Sequence, residues 1–284
     1  MKKLTITARG HDLTNVSSVQ ELAEKANQIG VDTLQLALGI SFPELPVSGE
    51  AINPGMGNYF KKELAKKNIS VGILSCYINM IHPDLVIREE LLHKFERYVA
   101  MAGTFGASIV ASETGNVLPE IRYTEDNFTE EAFYEMVAVI KRLVEAGERH
   151  GVIIGIEPGL NHPLHSLEKV ERLIQEIDSE YLGIILDPTN LITKDTYANQ
   201  VAMTREAFEK FGEKIVGFHL KDFIVNEEGV ICPVALGEGL IEYDALTTLI
   251  ERYRPYSFVV LEETKDEKIT KGIQHIQEAD LLKA

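Results

Sequence analysis

Eight short β-rich runs, each followed by a stretch with helical spacing, constrain this chain more than any other feature of its sequence. The runs are Leu4–Ala8, Thr33–Leu38, Ile69–Ser75, Ala107–Ser112, Val152–Glu157, Leu182–Asp187, Ile215–Leu220 and Ser257–Glu262. Between them lie segments such as "EELLHKFERYVAMAG" and "EEAFYEMVAVIKRLVEAGERHG", whose apolar residues recur at the helical period. The second begins after Thr129, a good N-cap, and stops at Gly151, a residue suited to a helix C-terminus. Several runs are apolar on both faces, as strands covered outside by helices must be. Eight such units predict a (β/α)8 TIM barrel in the α/β class. A doubly wound open sheet would carry a glycine-rich fingerprint after its first strand, and "TARGHDLTN" has none. With no Pro/Ser-rich linker, charge block or low-complexity segment, a single domain over 1–284 is expected.

Composition narrows the partners. A formal net charge of −16, without a cluster of Lys and Arg, argues against a nucleic-acid partner, because phosphate backbones are bound by clustered cations. The longest apolar runs, "VGILSC" and "FVVLEE", are too short to cross a bilayer, and "MKKLTITARG" lacks the apolar stretch of a signal peptide. No membrane partner is expected. Cys76 and Cys232 have neither a disulfide framework nor ligand spacing, and Cys76 reads as a small buried residue. A reduced, cytoplasmic protein is the expectation, and a homo-oligomer is compatible with it.

Chemistry concentrates at the strand ends. In a barrel of this kind the catalytic groups sit where strands end and the following loops begin. The fifth run ends "IGIEPG" at Glu157, the sixth "LGIILDPTNL" at Asp187, the seventh "VGFHLKD" at His219, and the eighth "VVLEET" at Glu262. Any one of these alone reads as a cap or a solvated polar group. Four consecutive strands delivering one hard ligand each to the same rim predict a metal site. Three clustered carboxylates would repel one another, and a divalent cation removes that penalty. Three carboxylates and one imidazole suit one divalent ion, with Mn²⁺, Co²⁺, Mg²⁺ and Zn²⁺ all admitted. Gly155 and Gly217 precede Glu157 and His219 by two residues, hence on the same strand face, and are expected to leave room beneath the site. Glu262, directly after the apolar run, is preferred over Glu263, which is expected to be salt-bridged or solvated.

The motifs "IEPG…H", "LDPTNL", "HLKD", "LGEG" and "VVLEE" resemble the xylose isomerase-like TIM barrels, especially their sugar phosphate isomerase/epimerase and ketose 3-epimerase branch. The resemblance extends over essentially the whole chain, with its specific motifs in the C-terminal half. It implies that Glu157, Asp187, His219 and Glu262 bind one divalent metal and that the two glutamates also move protons. Apurinic endonucleases look similar in "HLKD" and "LGEG" but need extra histidines for three metals. Here the position of the first reads Asp187-Pro188-Thr189-Asn190, and "ICPVA" before "LGEG" has no Asp-x-His pair. A three-metal nuclease is therefore not expected.

The last four strands form a continuous arc, with Glu157 and Glu262 three strands apart on opposite flanks of the ion. A ketose chelating the ion through its carbonyl and a neighbouring hydroxyl would have an acidified C–H, which one carboxylate removes while the other returns a proton. The expected enzyme is a metal-dependent isomerase or epimerase of a small-molecule sugar or sugar phosphate. A metal-dependent dehydratase or lyase acting on a polyol or keto-inositol is the alternative, and a non-catalytic sugar-binding barrel the third reading. His11, Glu113, Asn190 and Lys221 are candidate substrate-binding residues. Three of these have a plainer role open to them: capping for His11, a turn for Asn190, and an ion pair with Asp222 for Lys221. His162 and His165 belong to the loop after the fifth strand. Gly237 and Gly239 suit a tight turn as well as a phosphate.

Overall fold

Five of the described α-helices begin where a side chain takes up one or more of their free N–H groups. Ser18 accepts from Glu21, Asn53 from Met56, Asp84 from Val86 and Ile87, Thr129 from Ala132, and Ser166 from Lys169. The stops after Phe105 and His150 are glycines at φ 89° and 67°, a conformation that side chains resist. The computed structural model describes residues 4–281, with side-chain detail to residue 276.

In chain order the elements are β1 (Thr5–Arg9), α1 (Val19–Ile29), β2 (Thr33–Leu36), α2 (Leu38–Ser41), α3 (Pro54–Ala65), β3 (Ser70–Ser75), α4 (Leu85–Phe105), β4 (Ile109–Glu113) and α5 (Glu130–His150). They continue with β5 (Ile153–Glu157), α6 (Leu167–Ile177), β6 (Leu182–Leu186), α7 (Gln200–Phe211), β7 (Ile215–Val225), β8 (Ile231–Val234), α8 (Tyr243–Tyr253), β9 (Phe258–Glu262) and α9 (Glu267–Leu281). The parallel order β6-β5-β4-β3-β2-β1-β9-β7, closed by pairing of β6 with β7, is a complete barrel. It is the expected (β/α)8 TIM barrel, with β9 as the eighth barrel strand.

Two layers of apolar packing hold it. Outside, both-face-apolar strands such as Leu182–Leu186 are wholly buried beneath the helices. Inside, Ile73, Ile109, Ala111, Ile185 and Val260 form a separate buried cluster that plugs the barrel. Because successive side chains alternate faces, Gly217, His219 and Lys221 of β7 share the interior with Phe258, Val260 and Glu262 of β9. The plug lies below and the polar groups above.

Three expectations need correction. The second strand stops at Leu36 instead of Leu38, because Leu38–Ser41 turns into a short helix. The seventh runs on past Leu220 to Val225 and forms an antiparallel hairpin with β8, which was not anticipated. Its turn is set by Asn226, whose Oδ1 accepts from the N–H groups of Glu228 and Val230. Gly155 and Gly217 do not leave open room either. A Cβ at Gly155 would lie 3.0 Å from Ile109 and 3.1 Å from Ile185, and one at Gly217 would lie 3.0 Å from Ile185. The glycines admit large neighbours, and the floor of the site is solid.

Candidate active site

β6 ends where Pro188, with no N–H, cannot extend the ladder. Asp187 then caps the turn Pro188–Leu191, its Oδ1 accepting from the Thr189 N–H at 2.8 Å. Its Oδ2 is buried, with the Lys221 ammonium 2.8 Å away. Glu157 closes β5, His219 lies midway along β7, and Glu262 closes β9. All four side chains are buried, and one ligand atom from each lies within 4.8 Å of the others.

The contacts among them are specific. His219 Nδ1 is 3.1 Å from Glu157 Oε1 and 3.1 Å from Glu262 Oε1. Asn190 Nδ2 donates to Glu157 Oε1 at 2.8 Å, and Lys221 Nζ donates to Asn190 Oδ1 at 2.6 Å and to Glu262 Oε2 at 3.2 Å. Arg9 grips Asp12 with two hydrogen bonds of 2.7 and 3.0 Å, donates to Glu263 at 2.8 Å, and lies 3.3 Å from Glu262. Three buried carboxylates and an imidazole edge facing two of them make a hard O/N donor set. Such a set fits a divalent cation of the Mn²⁺, Co²⁺, Mg²⁺ or Zn²⁺ type.

Burial pushes the carboxyls of Glu157 and Asp187 upward, and the neighbouring cations only partly reverse it. For Glu262 burial acts the same way, but His219, Lys221 and Arg9 outweigh it and hold this carboxyl well below the usual range. Burial alone would lower His219; Glu157 and Glu262 outweigh it and raise the imidazolium to about 10. A histidine raised in the folded state stabilises fully below its unfolded value of 6.5, and that stabilisation is lost as pH climbs towards about 10. Chelator-treated protein should therefore lose melting temperature across this window more steeply than a chelator-treated His219→Gln variant. Equal slopes in the two proteins would contradict the assignment.

Glu157 and Glu262 open onto a cavity of about 270 Å³ that also receives Arg9, His11, Tyr77, Glu113, Asn190 and Lys221. His11, on the turn after β1, is lowered to about 4 by burial and by Arg9, and its Nδ1 has no hydrogen-bond partner. Glu113 closes β4 beside Glu157, with His162 Nε2 at 3.5 Å; His162 Nδ1 is 2.7 Å from the Gly115 carbonyl. His165 packs on Phe128, with ring centroids 4.2 Å apart. A second cavity, of about 400 Å³, lies among Val16, Phe42, Leu45 and Phe60 and holds no comparable polar cluster.

The structure brings all four candidate ligands together and places His11, Glu113, Asn190 and Lys221 around the same cavity. Lys221 does not pair with Asp222, the plainer role open to it, because adjacent residues of β7 face opposite sides. Lys221 points inward to Asp187 and Glu262, while Asp222 is fully buried outside the ring. Arg9, Gln35 and Tyr77 were not anticipated. A glutamine inside the apolar strand "TLQL" was the available signal for the second of these.

Asp222 explains the "HLKD" and "LGEG" motifs together. Its carboxylate accepts from the N–H groups of Phe223, Gly237, Gly239 and Ile241 at 2.8–3.0 Å. A Cβ at Gly239 would collide with Asp222 Oδ1 and the Phe223 carbonyl, so this position must be glycine. The two glycines thus serve a pinned turn. Asp222→Ala would leave these buried donors without an acceptor, and a loss of about 3 kcal/mol or more is expected in urea unfolding. A loss below about 1 kcal/mol would show that other contacts hold the loop.

A closed parallel barrel with a convergent carboxylate–histidine rim defines the class of chain, and comparison with known proteins gives its family. The family model described as xylose isomerase-like TIM barrel matches residues 23–283, and the chain belongs to that family. It is 29% identical over 117 residues to the 3-oxo-isoapionate decarboxylase of Pectobacterium atrosepticum, a stretch covering 39% of each protein. Its fold matches a D-tagatose 3-epimerase-like protein with a TM-score of 0.74 at 17% identity, covering 98% of this chain and 97% of that one. It also matches the IOLI protein solved with a bound zinc atom, with a TM-score of 0.73 at 16% identity and coverage of 98% and 96%. Among the described residues no helix is long and apolar enough to cross a membrane.

Proposed function

We propose that this protein is a divalent-metal-dependent isomerase or epimerase of a sugar or sugar phosphate, with Glu157 and Glu262 moving the proton. One observation carries the proposal. The two glutamates reach a single position from β5 and β9, each 3.1 Å from His219 Nδ1, and both line the cavity. Glu157, Asp187, His219 and Glu262 would hold the ion. When bound, it supplies Lewis acidity that polarises a substrate carbonyl and stabilises the charge on its oxygen.

The chain's own groups do the rest. One glutamate takes the proton from the carbon beside the carbonyl, and the other returns a proton from the opposite side. Return to the same carbon gives an epimer, and return to the neighbouring carbon gives an isomer. Asn190 holds Glu157 in place and ties it to Lys221. His11, Tyr77 and Glu113 offer hydrogen-bonding groups to the remaining hydroxyls. Family membership and the likeness to an epimerase-like fold support the reading.

The test is turnover of a panel of ketoses, aldoses and their phosphates in D2O with Mn²⁺. The product of an active substrate should carry solvent deuterium at the carbon that changes. Product free of deuterium would instead require hydride shift or transfer by one shielded base, and would end the two-glutamate assignment.

The partial match to a decarboxylase favours a second reading, in which a 3-oxo acid loses CO2. That step leaves the same negative charge on the carbonyl oxygen, and one glutamate then protonates the carbon. CO2 release from 3-oxo sugar acids, with no turnover of the neutral ketoses, would select it.

A further inference from the structure

We infer that Gln35 is a positioning residue that directs His219 Nδ1 toward the ion; this rests on the metal-site reading above. Gln35 lies on β2, across the barrel from β7, and is 1% exposed. Its Oε1 is 2.8 Å from His219 Nε2, while its Nε2 donates to the Tyr77 hydroxyl at 2.9 Å. An amide oxygen can only accept, so the ring nitrogen facing it carries the hydrogen.

A bound cation displaces the Nδ1 proton of the imidazolium, and the neutral ring then keeps its one N–H on Nε2. The freed lone pair lies on Nδ1, the nitrogen 3.1 Å from Glu157 and Glu262. The opposite tautomer would point an N–H at those two carboxylates and leave no lone pair for a cation. Gln35 therefore selects the tautomer that can ligate, as the hydrogen-bond partner of a ligating histidine commonly does. Tyr77, which lines the cavity, accepts from the other end of the same amide. The substrate side of the cavity and the ligand are thus joined through one buried side chain.

Calorimetric titration with Mn²⁺ tests this on three proteins: wild type, Gln35→Met and Gln35→Glu. Methionine fills similar space but cannot accept, and its dissociation constant should be about 10- to 100-fold weaker. Glutamate keeps an acceptor at the same reach and should stay within about threefold of wild type. Unchanged binding by Gln35→Met, or equal weakening in both variants, overturns the positioning role while leaving the metal site intact. Failure of the wild type to bind Mn²⁺ removes the metal-site reading and the inference with it. Imidazole ¹⁵N spectra of Mg²⁺-loaded wild type keep the test open should Gln35→Met fail to fold. They should show His219 protonated on Nε2, and protonation on Nδ1 would overturn the proposal.

Discussion

Turnover by Glu157→Gln and by Glu262→Gln, each assayed at saturating Mn²⁺, is expected to fall by at least ~10²-fold, the size of a typical general acid–base contribution. Glutamine keeps the shape of each side chain and one oxygen that can still face the ion, but it cannot take a proton. Loss of a negative charge also weakens metal binding, which is why saturation matters. Both variants should retain wild-type helix content, since the plug of Ile73, Ile109, Ile185 and Val260 lies beneath the site and involves neither glutamate. A variant with full turnover at saturating metal would show that its glutamate only ligates.

The second large effect is expected at Lys221. Its ammonium is 2.8 Å from Asp187 and 3.2 Å from Glu262, in surroundings where only 13% of its own side chain is exposed. Those carboxylates raise the pKa of the lysine even though burial opposes its charge. Removing one partner of a buried ion pair leaves an uncompensated charge, at a cost of about 3–5 kcal/mol. Chelator-treated Lys221→Met should be less stable than wild type by that order. The variant should also gain more melting temperature from added Mn²⁺, because the ion supplies the missing positive charge and binds only the folded state. A smaller gain than in wild type would mean that Lys221 helps to build the cation site instead of competing with it.

The carboxylates and histidine of the rim were legible because each follows an apolar run and ends or interrupts it. Asp187 before Pro188 and Glu262 after "FVVL" are local signals, and strand alternation carries them to one face. Arg9, Gln35 and Tyr77 were not legible as site residues for a different reason. Their partners at the site lie far along the chain: Gln35 meets His219 across 184 positions, Arg9 meets Glu263 across 254, and Tyr77 meets Gln35 across 42. The partner of Lys221 was misread because adjacency in sequence suggests Asp222, whereas a strand sends neighbours to opposite faces. The glycines of the plug were misread in the same way. An empty position on one strand says nothing about the isoleucine that the next strand places in it. The β7–β8 hairpin was missed although "FIVNEEGVICPV" has β-rich runs around a turn, because the barrel pattern accounts for the other strands without it.

One divalent ion is expected to be held by residues from four consecutive barrel strands. A crystal of the Mn²⁺-loaded protein, with anomalous scattering measured at the manganese edge, tests it most directly. The prediction is one strong peak per chain, about 2.0–2.3 Å from a carboxylate oxygen of each of Glu157, Asp187 and Glu262 and from His219 Nδ1. A peak lying instead between Glu113 and His162, further peaks along the rim, or none at saturating Mn²⁺ would contradict the claim.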